Sequence, residues 1–239
     1  MPLLEIAAAS IASALAAQEG GADRIELCAN LREGGTTPSH GTLVEARKRL
    51  RIPIHVLVRA RGGDFLYDEA EAAAMLGDVE DCVHSGADGV VIGALDADGD
   101  VAVGSCQAMI DAAEWLGVTF HRAFDLARDP HRALEDIVSL GCERILTSGQ
   151  RESAPEGAAL IRALVDQAAG RIVIMPGAGV DAGNIAAVRQ KTGATEFHAS
   201  AKRLIVSGMR HRPERLAAMQ DGEMRSDGEE IRRMLKALA

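Results

Sequence analysis

The chain has 239 residues, 47% of them hydrophobic and only 3% aromatic, with a net charge of −9. That is enough apolar material for one large α/β domain or two small ones. The acidic balance and the scarcity of rings argue against nucleic acid and anionic membrane as partners.

No apolar run reaches the roughly 18 residues that a membrane span needs. The opening MPLLEIAAASIASALAAQEGG is interrupted by Glu5 and lacks a basic start. It reads as a strand over 3–8 followed by a helix, not as a signal peptide. The four cysteines at 28, 82, 106 and 142 form no CxxC pair, which predicts a reducing, cytoplasmic setting.

Taken in chain order, the segments 3–8, 24–28, 52–59, 89–95, 118–124, 144–148, 171–175 and 196–200 read as strands, each followed by a helical pattern. Four of them begin two or three residues after a helix-ending glycine, in GADRIELC, GADGVVIGAL, GCERILTSG and GATEFHAS. Eight βα units with no linker predict a single (β/α)8 barrel of the TIM type over residues 1–206. An open doubly wound sheet is the alternative. Residues 207–239 read as a C-terminal extension with an amphipathic helix near 228–238.

The strand 24–28 raises a question, because strands of a covered parallel sheet are normally continuous apolar runs. Here Glu26 sits in the middle. Alternation turns Ile25 and Leu27 towards the helices and Arg24, Glu26 and Cys28 towards the barrel axis. A structural ion pair of Arg24 with Glu26 or a neighbour is one reading; a ligand group at the C-terminal mouth is the other. The second gains weight because other strands do the same. Glu5 lies in the first strand, Arg59 ends the third, and Arg61 and Asp64 follow it in the RGGDFLY loop. His121, Arg122 and Asp125 lie in TFHRAFD, Ser148 in LTSG, and His198 and Ser200 in TEFHASA. Convergent carboxylates, imidazoles and arginines in one concavity describe a small-molecule site.

Glu5, Glu26 and His121 are candidate acid/base groups, with Asp125 as a carboxylate that orients His121. The PGAGV loop, with Gly177 and Gly179, and the following HASAKR segment fall where barrels hold phosphate on bare backbone N–H groups. The same glycines also suit a plain tight turn. Cys28 is a soft-metal candidate, although a lone cysteine is more often a small buried hydrophobe.

The stretches LLEI, GGADRIELC, EGGTTPSHG, RARGGDF, VTFHRAFD, RILTSGQ, MPGAGV and ATEFHASA, in this order over residues 3 to about 212, resemble the CutC family of copper homeostasis proteins. The resemblance implies a (β/α)8 barrel, a cytoplasmic location, a homo-oligomer (dimer or tetramer) and a role in copper tolerance with copper(I) as ligand. Members commonly carry cysteines where this chain has Ala7 and Ala199, leaving Cys28 as the one thiol expected near the mouth. The retained groups are hard and polar. They suit an oxygen-rich or phosphorylated metabolite, handled by an enzyme or a sensor, better than Cu(I).

Overall fold

The computed structural model describes residues 2–211 and 222–239. Eight parallel strands form the barrel wall: β1 (Leu3–Ala8), β2 (Arg24–Leu27), β3 (Ile54–Leu57), β4 (Gly89–Ile92), β5 (Gly117–Phe120), β6 (Arg144–Thr147), β7 (Val173–Pro176) and β8 (Glu196–Ala199). From β1 to β7 each strand pairs with its sequence neighbour, and β8 pairs with β1, so the order runs β7-β6-β5-β4-β3-β2-β1-β8. Sequential neighbours joined around a ring make a TIM-type barrel, not an open doubly wound sheet, whose order reverses at a switch point.

The ring has one seam, since β7 and β8 share no ladder. In β7 the N–H groups of Val173 and Gly177 donate to the β6 side. By alternation Ile174 and Pro176 face β8, and proline has no N–H to give.

Helices α1 (Ile11–Gly20), α2 (His40–Arg49), α3 (Glu69–His84), α4 (Val103–Ala112), α5 (Pro130–Ser139), α6 (Ala158–Ala168) and α7 (Ile185–Thr192) cover the outside. Their starts are specified locally. Ser10 accepts the Ser13 N–H to open α1, and Asp68 with Glu71 makes a capping box for α3. Leu4, Ile6, Ile25, Leu27 and Ile54 are fully buried beneath the helices. Each stabilises the fold by about 1.5–3 kcal/mol relative to exposure. The odd-facing partners Glu5, Arg24, Glu26 and His55 fill the axis, and all are at most 6% exposed.

Several strands are shorter than the sequence reading, β3 by two residues at each end and β4 by three at its C-terminal end, and two larger details differ. The strand expected to run to Phe124 stops at Phe120, and Arg122–Leu126 forms a 3-10 turn. Asp125 causes this by turning back to accept hydrogen bonds from the end of β6. Beyond the barrel, β9 (Lys202–Ile205) pairs antiparallel with β10 (Glu223–Ser226), an element the periodicity did not announce. Helix α8 (Gly228–Leu238) then packs against both α1 and α7. Ile231 sits against Gly20, and Arg189 on α7 donates to the Leu238 carbonyl.

Candidate functional site

The axis is charged at two heights. Below the floor, Glu5 accepts from Arg24 Nε. Arg24 Nη2 reaches Glu196 at 2.9 Å. Glu196 also accepts from Arg144 Nε at 3.2 Å, and Arg144 Nη1 donates to Thr119 at 3.2 Å. The bland partner expected for Arg24 is therefore Glu5 together with Glu196, while Glu26 stands apart from it.

One step higher, His198 Nδ1 lies 2.8 Å from Glu5 Oε1, and its Nε2 is 3.8 Å from Glu26 Oε2. Burial alone would raise the Glu5 carboxyl, but the His198 hydrogen bond and then Arg24 hold it well below the usual range. Glu26 goes the other way. Burial, reinforced by the Glu5 charge, pushes it up to about 7 against the pull of His198. Burial would lower His198, yet Glu26 and the Glu5 hydrogen bond carry it above its ordinary value. Glu5, His198 and Glu26 thus form a buried charge cluster in which His198 is hydrogen-bonded to Glu5 and faces Glu26 across 3.8 Å. Ligand atoms of the three lie within 4.8 Å of one another, but both Glu5 oxygens are already engaged by Arg24 and His198.

Glu26 and His198 form the floor of a cavity of about 630 Å³ at the C-terminal mouth. Glu5 lies beneath it, and Ala7, two residues further on, lines it. The Glu26 carboxylate is 5% exposed and makes no hydrogen bond among the described residues.

His121 lines another part of the wall at 3% exposure. Its Nδ1 accepts the Ala123 N–H at 3.1 Å, so the neutral ring carries its proton on Nε2, and that atom has no partner. Burial, then the Arg59 charge, pushes the ring down to about 3. Gly93 makes this possible, because a Cβ there would sit 2.6 Å from His121 Cε1. Phe65, from RGGDF, packs 5.0 Å from the His121 ring and under the Arg59 guanidinium at 4.8 Å.

The remaining sequence candidates divide. Arg59 lines the cavity, but its Nη atoms are held by the carbonyls of Glu33, Gly35 and Gly63. It shapes the wall more than it offers charge. Arg61 and Asp64 pair with each other at 3.0 Å, Arg61 also binds Glu71, and neither lines the cavity. Asp125 does not orient His121. It binds Thr147 at 2.5 Å, the Ser148 N–H and Oγ, and Arg122. Ser148 is enclosed by this network, with the Arg122 Nη2 at 3.0 Å, while Arg122 is 43% exposed at the rim.

Gly177 lies off the cavity lining, and its missing Cβ makes room for Leu146 Cδ1. Gly179, Ser200 and their neighbours Ala178 and Val180 do line it. The backbone N–H groups of Ala178, Gly179, Val180 and Ser200 donate to no acceptor among the described residues. Lys202 adds a cation at the same edge. It was legible only as part of HASAKR.

Cys28 is 1% exposed, packed with Leu57 and Val91, and off the cavity lining. Burial, then Glu26, pushes its thiol well up.

The CutC family model matches residues 2–203. The family protein CutC of Xylella fastidiosa is 61% identical over 204 residues, covering 85% of this chain and 76% of the relative. That of Xanthomonas axonopodis pv. citri is 55% identical over 235 residues, covering 98% of each. A crystallised CutC from Streptococcus agalactiae, named for copper homeostasis, superposes with a TM-score of 0.80 at 34% identity, covering 84% of this chain and 99% of that one.

Proposed function

The chain belongs to the CutC family, and we propose that its barrel mouth binds a small phosphorylated or carboxylated metabolite, on which Glu26, backed by His198 and Glu5, handles protons. One observation carries this reading. A single cavity holds a buried carboxylate with no hydrogen bond and a run of unpartnered backbone N–H groups beside Lys202. Buried polar groups in folded proteins are almost always satisfied, so the Glu26 carboxylate is completed by something the protein binds, and the half-exposed loop N–H groups are free to receive the rest of it. The N–H groups and Lys202 meet an anion, and Glu26 meets a donor or an acidic proton. From the family likeness we also propose a cytoplasmic homo-oligomer, tested by cell fractionation and light scattering.

The residues fit Cu(I) poorly. Cu(I) favours two or three thiolate or thioether donors. Ala7 and Ala199 line the cavity where sulfur would be needed, and Cys28 is turned into an apolar cluster with its proton retained. Cys82, Cys106 and Cys142 are buried in the outer layer with thiols raised to about 12, 11 and 12.

Two measurements test the proposal. Inorganic phosphate and short sugar phosphates should raise the melting temperature, and Lys202→Ala should weaken the effect, because a ligand bound only by the native state stabilises it. An anaerobic Cu(I) titration should show no affinity that depends on Cys28, with Cys28→Ala as control. Tight binding lost in that variant would restore the copper reading.

A further inference from the structure

We propose that the reaction at this mouth is enolisation of a short-chain sugar phosphate, with Glu26 as the base at the carbon next to the carbonyl and the Nε2–H of His121 as the donor to the carbonyl oxygen. This rests on the anion-binding reading above and goes beyond it by naming substrate class and reaction.

The cavity lining holds one carboxylate without a hydrogen-bond donor, Glu26, and two buried side-chain donors without an acceptor, His121 Nε2 and Arg59 Nε, of which His121 is the imidazole that can face a carbonyl oxygen. A single ligand that satisfies Glu26 and His121 presents an acidic hydrogen to one wall and a carbonyl oxygen to another. An α-hydroxycarbonyl compound does this, and its phosphate matches the bare N–H groups of Gly179, Val180 and Ser200 with Lys202.

The chemistry of the two groups agrees with that placement. The His121 tautomer is fixed by the Ala123 N–H at 3.1 Å. Burial beside Arg59 keeps the ring neutral. A neutral imidazole N–H donates to a developing enolate oxygen without first having to lose a charge. A carboxylate raised to about 7 is a stronger base than a surface glutamate and is ionised near neutral pH.

The step balances without a co-reactant. The C–H bond breaks and its proton goes to Glu26. The C–H electron pair becomes the C=C bond of the enediol, and the carbonyl π pair moves onto oxygen, stabilised by His121 Nε2–H. The neighbouring hydroxyl passes its proton to the former carbonyl oxygen and re-forms a carbonyl, while Glu26 returns its proton to the former carbonyl carbon, and the net change is isomerisation. His198, 3.8 Å from Glu26 and hydrogen-bonded to Glu5, is the positioning residue behind the base.

The test is solvent exchange in D2O, followed by proton NMR on dihydroxyacetone phosphate, ribulose phosphate and fructose phosphate. At least one should lose its α-proton signal in the presence of the wild type. Glu26→Gln should slow exchange at least about 100-fold and His121→Gln about 10²–10⁴-fold. Both variants should keep their thermal shift with inorganic phosphate. If Glu26→Gln fails to fold, Glu26→Asp takes its place, and a fall in kcat at unchanged KM is expected. Phosphate binding with no exchange on any of the three overturns enolisation and leaves the anion-binding reading standing. Exchange that survives Glu26→Gln overturns it too. Absence of any phosphate shift overturns the anion-binding reading itself.

Discussion

The barrel interior buries charge at two heights, and the two are built on opposite terms. In the lower set Glu5, Arg24, Glu196, Arg144 and Thr119 bind one another in an unbroken chain. His55 is the exception there, with an Nδ1 that has no partner. In the upper set Glu26, His121 Nε2 and Arg59 Nε make no hydrogen bond among the described residues, and Glu26 has only the His198 imidazole at 3.8 Å. Desolvation penalises both sets alike. The lower set offsets it within the protein and is a structural plug; the upper set leaves the offset to a ligand.

The sharpest way to break this contrast is to cut the plug. Arg24→Met strips a partner from Glu5 and Glu196 at once. It should lower stability by about 3–5 kcal/mol, read from the urea midpoint, because the remaining carboxylates stay buried.

Acid comes next. His55 is lowered to about 4 and His121 to about 3, in both cases chiefly by burial. Unfolded histidines titrate near 6.5, so the unfolded chain takes up protons first as pH falls. Stability is therefore full above about 6.5 and is lost towards pH 4 and 3, on the order of 3 kcal/mol per ring. His55→Gln and His121→Gln should each flatten that slope in a pH series of denaturation curves.

Glu26 has the reverse sign. Its folded value of about 7 lies above the ordinary 4.5, so its contribution is present below 4.5 and disappears as pH rises through 7. Glu26→Gln should be more stable than wild type at pH 8 by roughly 1–2 kcal/mol, allowing for the lost attraction to His198, and equal to it at pH 4. A variant less stable at pH 8 would place Glu26 with the plug.

The smallest effect belongs to Arg61→Ala and Asp64→Ala. Both residues are substantially exposed and off the cavity lining, so each should change stability by about 1 kcal/mol or less and leave phosphate binding unchanged.

Much of this was legible because the barrel repeats a local rule. A helix-ending glycine followed by a short strand located the starts of β2, β4, β6 and β8. Alternation in RIELC placed Glu26 on the axis, and TEFHASA placed His198 there. What failed was partner choice. Arg24 meets Glu196 from the far end of the chain, and Asp125 abandons His121, four residues away, for Thr147 and Ser148. Such pairings are decided by which strands lie side by side, and the 3-10 turn after His121 swings Asp125 over to β6. The Cys28 thiol was similarly expected near the mouth, but Leu57 and Val91 enclose it.

The unladdered join between β7 and β8 has a consequence for motion. Gly179 and Val180 follow β7, whereas His198 and Ser200 belong to β8 and its end, and all four line one cavity. An anion gripped from both sides would act as the missing rung, fastening the barrel where Pro176 leaves it unstitched. Amide hydrogen exchange in β8 and the loop after β7 should then slow on phosphate binding more than anywhere else in the wall. The proline that omits one hydrogen bond from the sheet would thus make occupancy of the mouth audible in the backbone.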